Sequence, residues 1–194
     1  MQPVAPMVTR SDGRLAGTLR YFVLTAFCAD ISSALSESPT PSMTGTDMKF
    51  RYFDFFAGGG MAGVGLGPGW QCAFANEIDD KKANSYRANH EGGGELAVKD
   101  VAEVITAEMP GQADLVWASF PCQDLSLAGK GAGLAGRRSG TFKAFWELML
   151  GLQSEGRAPK IIALENVYGT LTSNAGRDFA TISEAFAEIG YKFG

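Results

Sequence analysis

The residues able to do chemistry stand at the ends of short apolar runs. Gly58, Gly60 and Gly63 follow the run 51–55, Glu77 follows 71–76, Asp100 follows 96–99, Cys122 follows 114–119 and Glu165 follows 160–164. Glycines placed directly after a strand allow a tight turn and a close approach of backbone to ligand. Their G-x-G-x-x-G spacing, with a carboxylate about twenty residues on, fits a dinucleotide site. A carboxylate there can accept both hydroxyl hydrogens of the ribose in any adenosine-containing cofactor, and a glycine turn that only packs helix on strand has the same spelling. Asp100 suits an adenine amino group and equally suits the N-cap of a following helix. A lone thiol such as Cys122 at the apex of a turn is a nucleophile where its surroundings favour the thiolate, and an inert small hydrophobe where they do not. Taken alone, Glu165 reads as a structural ion pair at a strand end.

The elements that must position these groups alternate in kind. Between the apolar runs lie amphipathic stretches at 81–89, 101–108, 141–152 and 178–189, and a sixth strand is predicted from Tyr191. Phe179, Ile182, Phe186 and Ile189 recur at three- and four-residue spacing, which puts them on one buried helix face. Strands feeding helices in this way predict an α/β fold with a mostly parallel sheet. In such sheets ligands sit beyond the carboxyl ends of the strands, where all five of these positions fall. His90, the only histidine, ends a predicted helix and reads as a cap or surface residue.

Composition bounds the partners. With 194 residues, 45% hydrophobic and 20% charged, the chain suits one globular domain. A net charge of −4 excludes wrapping of nucleic acid over the whole surface, so any contact with DNA must be local. Cys28, Cys72 and Cys122 make no C-x-x-C pair, which predicts neither a zinc site nor a disulfide framework and points to a reducing, cytoplasmic compartment. The apolar run 21–29 after Arg10, Arg14 and Arg20 is far shorter than the roughly 20 residues of a membrane span. Ser, Thr and Pro dominate 31–47, so residues 1–47 are expected to be disordered or spurious and the folded domain to occupy 48–194.

The segment Phe-Pro-Cys-Gln at 120–123 makes the reading specific. It resembles the catalytic loop of the DNA (cytosine-5) methyltransferases, and the surrounding pieces resemble that family in order: Phe56-Ala57-Gly58-Gly59-Gly60, Asn76-Glu77-Ile78-Asp79, Asp100-Val101, Ser139-Gly140-Thr141-Phe142 and Glu165-Asn166-Val167. The resemblance implies a Rossmann-like S-adenosylmethionine-dependent methyltransferase fold. It assigns the cofactor to Phe56, Ala57, Gly58, Gly60, Met61, Glu77, Ile78, Asp100, Val101 and Phe142. It makes Cys122 the nucleophile, gives Glu165 the cytosine edge, has Asn166 orient the site and Pro121 shape the base pocket. Glu165 can share a proton with the base near pH 7 only if burial favours its acid form. The glycine-punctuated stretch 123–140 is then a lid over DNA, bringing Gln123 and Ser126 to the substrate and Lys130, Arg137 and Arg138 to phosphates. A solvated loop pair is the equal alternative for the two arginines. A base inside a duplex cannot reach such a pocket, so the target cytosine must be flipped out.

Departures from the family pattern are Met61 and Ser119, each where a glycine is usual, and the ending at Gly194. The target-recognition region and the late cofactor segment are not in the sequence. On this reading the catalytic domain is partial, its sheet is C-terminally incomplete, and a second chain is a candidate for completing it. The polypeptide alone is expected to bind cofactor weakly and to methylate DNA poorly or not at all. Three rivals remain at this level. A tRNA cytosine-5 methyltransferase shares the chemistry, an NAD-dependent oxidoreductase leaves Pro-Cys-Gln and Glu-Asn-Val without work, and an inactive fragment would serve only as a binding or dimerisation module.

Overall fold

The structure is a computed structural model, and it describes residues 21–25, 49–91, 93–120, 140–166 and 176–193. The apolar runs become strands β1 (Tyr21–Thr25), β2 (Phe50–Phe55), β3 (Trp70–Glu77), β4 (Leu96–Val98), β5 (Leu115–Ser119), β6 (Ile161–Glu165) and β7 (Lys192–Phe193). They form one sheet in the order β4-β3-β2-β5-β6-β1-β7, and every pairing is parallel. The helices are α1 (Met61–Leu66), α2 (Asp80–Asn89), α3 (Gly140–Ser154) and α4 (Arg177–Glu188). From β2 the chain runs outward to β3 and β4, then crosses to β5 and β6 on the other side. The carboxyl ends of β2 and β5 therefore flank the point where the winding reverses, the place such sheets offer to ligands.

Alternation along the strands divides the core into two layers. Phe53, Phe55, Val116, Ala118, Ile162 and Leu164 point to the larger one, where Phe145, Met149 and Leu152 of α3 meet Ile182 and Phe186 of α4. The apolar stripe expected on α4 is thus buried, with Phe179 and Ile189 at its margin. Tyr52, Leu115, Trp117, Ile161 and Ala163 point to the opposite face, against Ala62 and Leu66 of α1.

Two expectations are corrected. The stretch 101–108 is not one helix but two single 3₁₀ turns, Val101–Glu103 and Thr106–Glu108, because Val104 and Ile105 between them are extended. The Asp100 side chain caps the first turn, accepting from the Ala102 amide at 2.9 Å. The other correction concerns the N-terminal stretch. Tyr21–Thr25 lies in the region expected to stand outside the fold, yet it is a parallel strand registered Tyr21 with Ile161 through Thr25 with Glu165 on one side, and with Lys192 and Phe193 on the other. Through these pairings β1 joins β7 to the rest of the sheet. Deleting residues 1–25 is therefore expected to lower the thermal midpoint by at least about 5 °C and to speed amide exchange in both β6 and β7, as read by mass spectrometry. Unchanged exchange in those two strands would refute the structural role of β1.

Candidate active site

The glycine loop is built by what surrounds it. Phe56 leaves β2 with φ 58°, an uncommon conformation for a non-glycine residue, and its ring packs on Phe120 at 4.7 Å between centroids. The Ala57 amide donates to the Asn76 carbonyl at 3.0 Å, and the Gly58 amide donates to Glu77 Oε2 at 2.8 Å. Gly58 has φ +57° with nothing within 4 Å of where a Cβ would stand, so the backbone demands glycine while the outer side is open to a ligand. Gly60 is constrained in the opposite way. A Cβ there would lie 2.1 Å from His90 Nε2, the nitrogen that sits 2.9 Å from the Gly60 carbonyl oxygen. Asn89 Nδ2 donates to the Gly59 carbonyl at 2.8 Å, so the end of α2 staples the loop from below.

Glu77, expected to meet a ribose, is also the clamp of this loop. It is buried; Oε1 accepts from the Ile78 and Asp79 amides at 2.9 Å each, while Oε2 holds Gly58. Each carboxylate oxygen has two lone pairs, which leaves acceptor capacity for a ligand hydroxyl. Met61 and Ile78 expose large apolar side chains at the same rim. The side chains of Val101 and Phe142 are instead buried in the larger core, Phe142 lying beneath Phe120 at 5.8 Å. They support the rim from inside.

The second half of the site begins where β5 and β6 end. Ser119 is in register with Glu165, and the buried Asn166 donates from Nδ2 to the Phe120 carbonyl at 3.1 Å. The amide thus fixes the last described residue before Pro121 and Cys122 next to Glu165. Glu165 itself is exposed, so the burial expected to favour its acid form is not supplied by the described residues. Pro121, Cys122, Gln123, Ser126, Lys130, Arg137, Arg138, Ser139 and Val167 lie outside the described residues.

Three side chains important to this geometry were not singled out from the sequence for these parts: His90 as a brace, Tyr52 and Asp54. A Cβ on Gly63 would meet the Tyr52 hydroxyl oxygen at 2.3 Å, which is why α1 carries a glycine against β2. Gly63→Ala is expected to cost about 1–3 kcal/mol by overpacking, and Tyr52→Phe in the same chain should recover part of it in a urea-unfolding double-mutant cycle. Additive costs would show that the contact is not the cause. Asp54 is 1% exposed, and neither carboxylate oxygen has a hydrogen-bond partner. Burial, with Glu77 and Glu165 adding repulsion, pushes its pKa up to about 8.

The loop, its acid and the β5–β6 ends thus share one rim of a parallel sheet. A family model described as C-5 cytosine-specific DNA methylase matches residues 50–194. The chain belongs to this family. It is 35% identical over 146 residues to the type II methyltransferase M.HpaII of Haemophilus parainfluenzae, covering 74% of this chain and 38% of that protein. It is 32% identical over 145 residues to the type II methyltransferase M.BsuFI of Bacillus subtilis, covering 74% of this chain and 33% of the relative. The chain therefore spans well under half the length of these curated relatives. Among solved structures it resembles the Dnmt2 methyltransferase of S. pombe with a TM-score of 0.51 at 17% identity, over 71% of this chain and 40% of that one. That likeness carries the fold alone, and it agrees with the Rossmann-like sheet. Among the described residues there is no metal-binding cluster and no helix long and apolar enough to cross a membrane.

Proposed function

We propose that this chain takes part in methyl transfer from S-adenosylmethionine to carbon 5 of a cytosine flipped out of DNA. The observation that carries the reading is the shared rim: the loop clamped by Glu77 opens beside the β5–β6 ends, where Asn166 tethers Phe120 next to Glu165. The open side of Gly58 and the one lone pair left on Glu77 Oε2 fit a ribose-bearing cofactor, which would bring an electrophilic methyl on a sulfonium. The contacts assigned to Phe56, Ala57, Gly60, Met61, Ile78 and Asp100 belong to the same proposal.

Carbon 5 of cytosine is a poor nucleophile, so the ring has to be activated. The Cys122 thiolate adds to carbon 6, and the electron pair moved to carbon 5 takes the methyl group, whose bond to the donor sulfur breaks and leaves a neutral thioether. Glu165, exposed in the free chain, is covered by the base it pairs with at ring nitrogen 3 and the exocyclic amine, and a proton shared at nitrogen 3 then draws electrons away from carbon 6. Loss of the carbon 5 proton to a base then expels the cysteine sulfur and restores the ring. Asn166, bonded to the Phe120 carbonyl, orients the site. Pro121 walls the base pocket, and Gln123, Ser126, Arg137 and Arg138 meet the DNA.

A 5-fluorocytosine oligonucleotide tests this, because fluorine at carbon 5 blocks the proton loss and leaves the adduct trapped. With S-adenosylmethionine present, a denaturation-resistant protein–DNA band is expected from the wild type and none from Cys122→Ser. A band from Cys122→Ser, or from the wild type without cofactor, would refute the assignment.

A further inference from the structure

The mechanism above gives no work to Asp54, although it is the described carboxylate most at odds with its surroundings. Register places it precisely enough to say what it faces: Asp54 pairs with Ala75 on β3 and Trp117 on β5, and Trp117 pairs with Ala163 on β6. Glu77 and Glu165 each stand two residues further along their strands, hence on the same face of the sheet. Three carboxylates therefore converge on one side of the rim. Among the described residues the charges acting on Asp54 are those of Glu77 and Glu165, both repulsive. The other titratable groups nearby are neutral acids: Tyr52 on its own strand, and Cys72 on β3, which accepts from the Tyr86 hydroxyl of α2 at 3.4 Å; that hydroxyl also contacts Glu95 at 2.8 Å. Trp117 and Ser119 of β5 bond to each other at 2.9 Å, and α1 carries no ionisable side chain.

Among the described residues no positive charge acts on Asp54 to offset the other two carboxylates. We propose that Asp54 is a ligand-linked proton carrier: it is protonated in the ligand-free protein and releases its proton when a ribose-bearing cation binds beside Gly58 and Glu77. The inference rests on the cofactor reading above and deepens it. Both Asp54 oxygens are sealed from solvent, so the coupling acts through the low-dielectric sheet face rather than by ligation. The Asp54 O–H bond breaks, the proton passes to the buffer, and the carboxylate left behind neutralises the cation. Asp54 is on this account a positioning residue for charge.

Calorimetry of S-adenosylmethionine binding at pH 7 in two buffers of different ionisation enthalpy counts the protons. Release approaching one proton per ligand is expected from the wild type and none from Asp54→Asn. S-Adenosylhomocysteine, whose sulfur is neutral, should release less than half as many. Between pH 6 and 8 the wild-type Kd for S-adenosylmethionine should tighten by up to about tenfold per pH unit, and that of Asp54→Asn should stay flat. Binding by the wild type without proton release, or equal release by the variant, overturns the inference and leaves the cofactor reading standing. No binding of either ligand by the wild type overturns the cofactor reading and this inference together. Should Asp54→Asn fail to fold, the comparison of the two ligands on the wild type decides, equal release with both being the overturning result.

Discussion

Glu77→Ala is expected to lower the unfolding free energy by about 3–5 kcal/mol and to weaken S-adenosylmethionine binding at least about 100-fold. The stability loss follows from the three backbone amides that the buried carboxylate holds at 2.8–2.9 Å. Hydrogen bonds to a charged group contribute about 1.5–3 kcal/mol each, and water entering the vacated rim takes back part of the sum of the three. The affinity loss has two sources, the missing ribose acceptor and a Gly58 no longer tied to the end of β3. Glu77→Gln separates them. Its amide keeps one acceptor oxygen, so it can still hold part of the loop, but its NH2 group faces backbone donors on the other side. Glu77→Gln should therefore recover part of the stability while binding remains at least tenfold weaker than wild type. Urea unfolding followed by tryptophan fluorescence and calorimetric titration measure the two quantities. A Glu77→Ala chain with wild-type stability would show that the clamp is not what organises the loop.

The strands and the rim were legible because their signals are local. A parallel sheet covered on both faces spells its strands as continuous apolar runs, and a ligand turn spells itself with glycine. Five strands fell within a residue or two of the runs 51–55, 71–76, 96–99, 114–119 and 160–164. What was missed depends on long-range contact. Helix α1 is the sequence Met-Ala-Gly-Val-Gly-Leu, poor in helix propensity, and forms where the half-buried Ala62 and Leu66 pack against the sheet. The stretch 101–108 has helical spacing but carries Val104 and Ile105 at its centre, and the Glu108 carboxylate accepts from the Ile105 amide at 3.1 Å, starting a new turn. Strand β1 was hidden by the polar stretch after it, since its partners lie more than a hundred residues away. His90 reads as a helix end, which it is. That its ring would fill the space left by Gly60 depends on the return of α2 beneath the loop. Asp54 did leave a signal: a charged residue inside a strand whose neighbours Tyr52, Phe53 and Phe55 are all buried. Either that strand had an exposed face or the carboxyl was buried against its preference. Only the sheet order, with β3 and β5 on either side, decides for burial.

That buried carboxyl gives the chain an unusual pH dependence of stability. Most structural carboxylates bind protons less tightly when folded, so they stabilise a protein as pH rises from the acid range. Asp54 is the reverse case. Its folded value is about 8 against 3.8 for the free side chain, so between those limits the folded chain carries a proton that the unfolded chain has lost. Its stabilising contribution is complete below about pH 4, falls by about 1.4 kcal/mol per pH unit above that, and is gone once the pH passes about 8. Asp54→Asn keeps the shape and cannot ionise, so it removes this slope while leaving the other titrating groups in place. The difference in unfolding free energy between variant and wild type should therefore move by several kcal/mol in favour of the variant from pH 5 to pH 8, at a rate near that slope. Guanidinium unfolding at intervals of half a pH unit reads it directly. A saturating cation beside Glu77 should flatten the wild-type curve, because it favours the ionised carboxylate in the folded state. A difference that stays constant with pH would mean that Asp54 is charged in the free protein, and that the face it shares with Glu77 and Glu165 already contains its counter-charge.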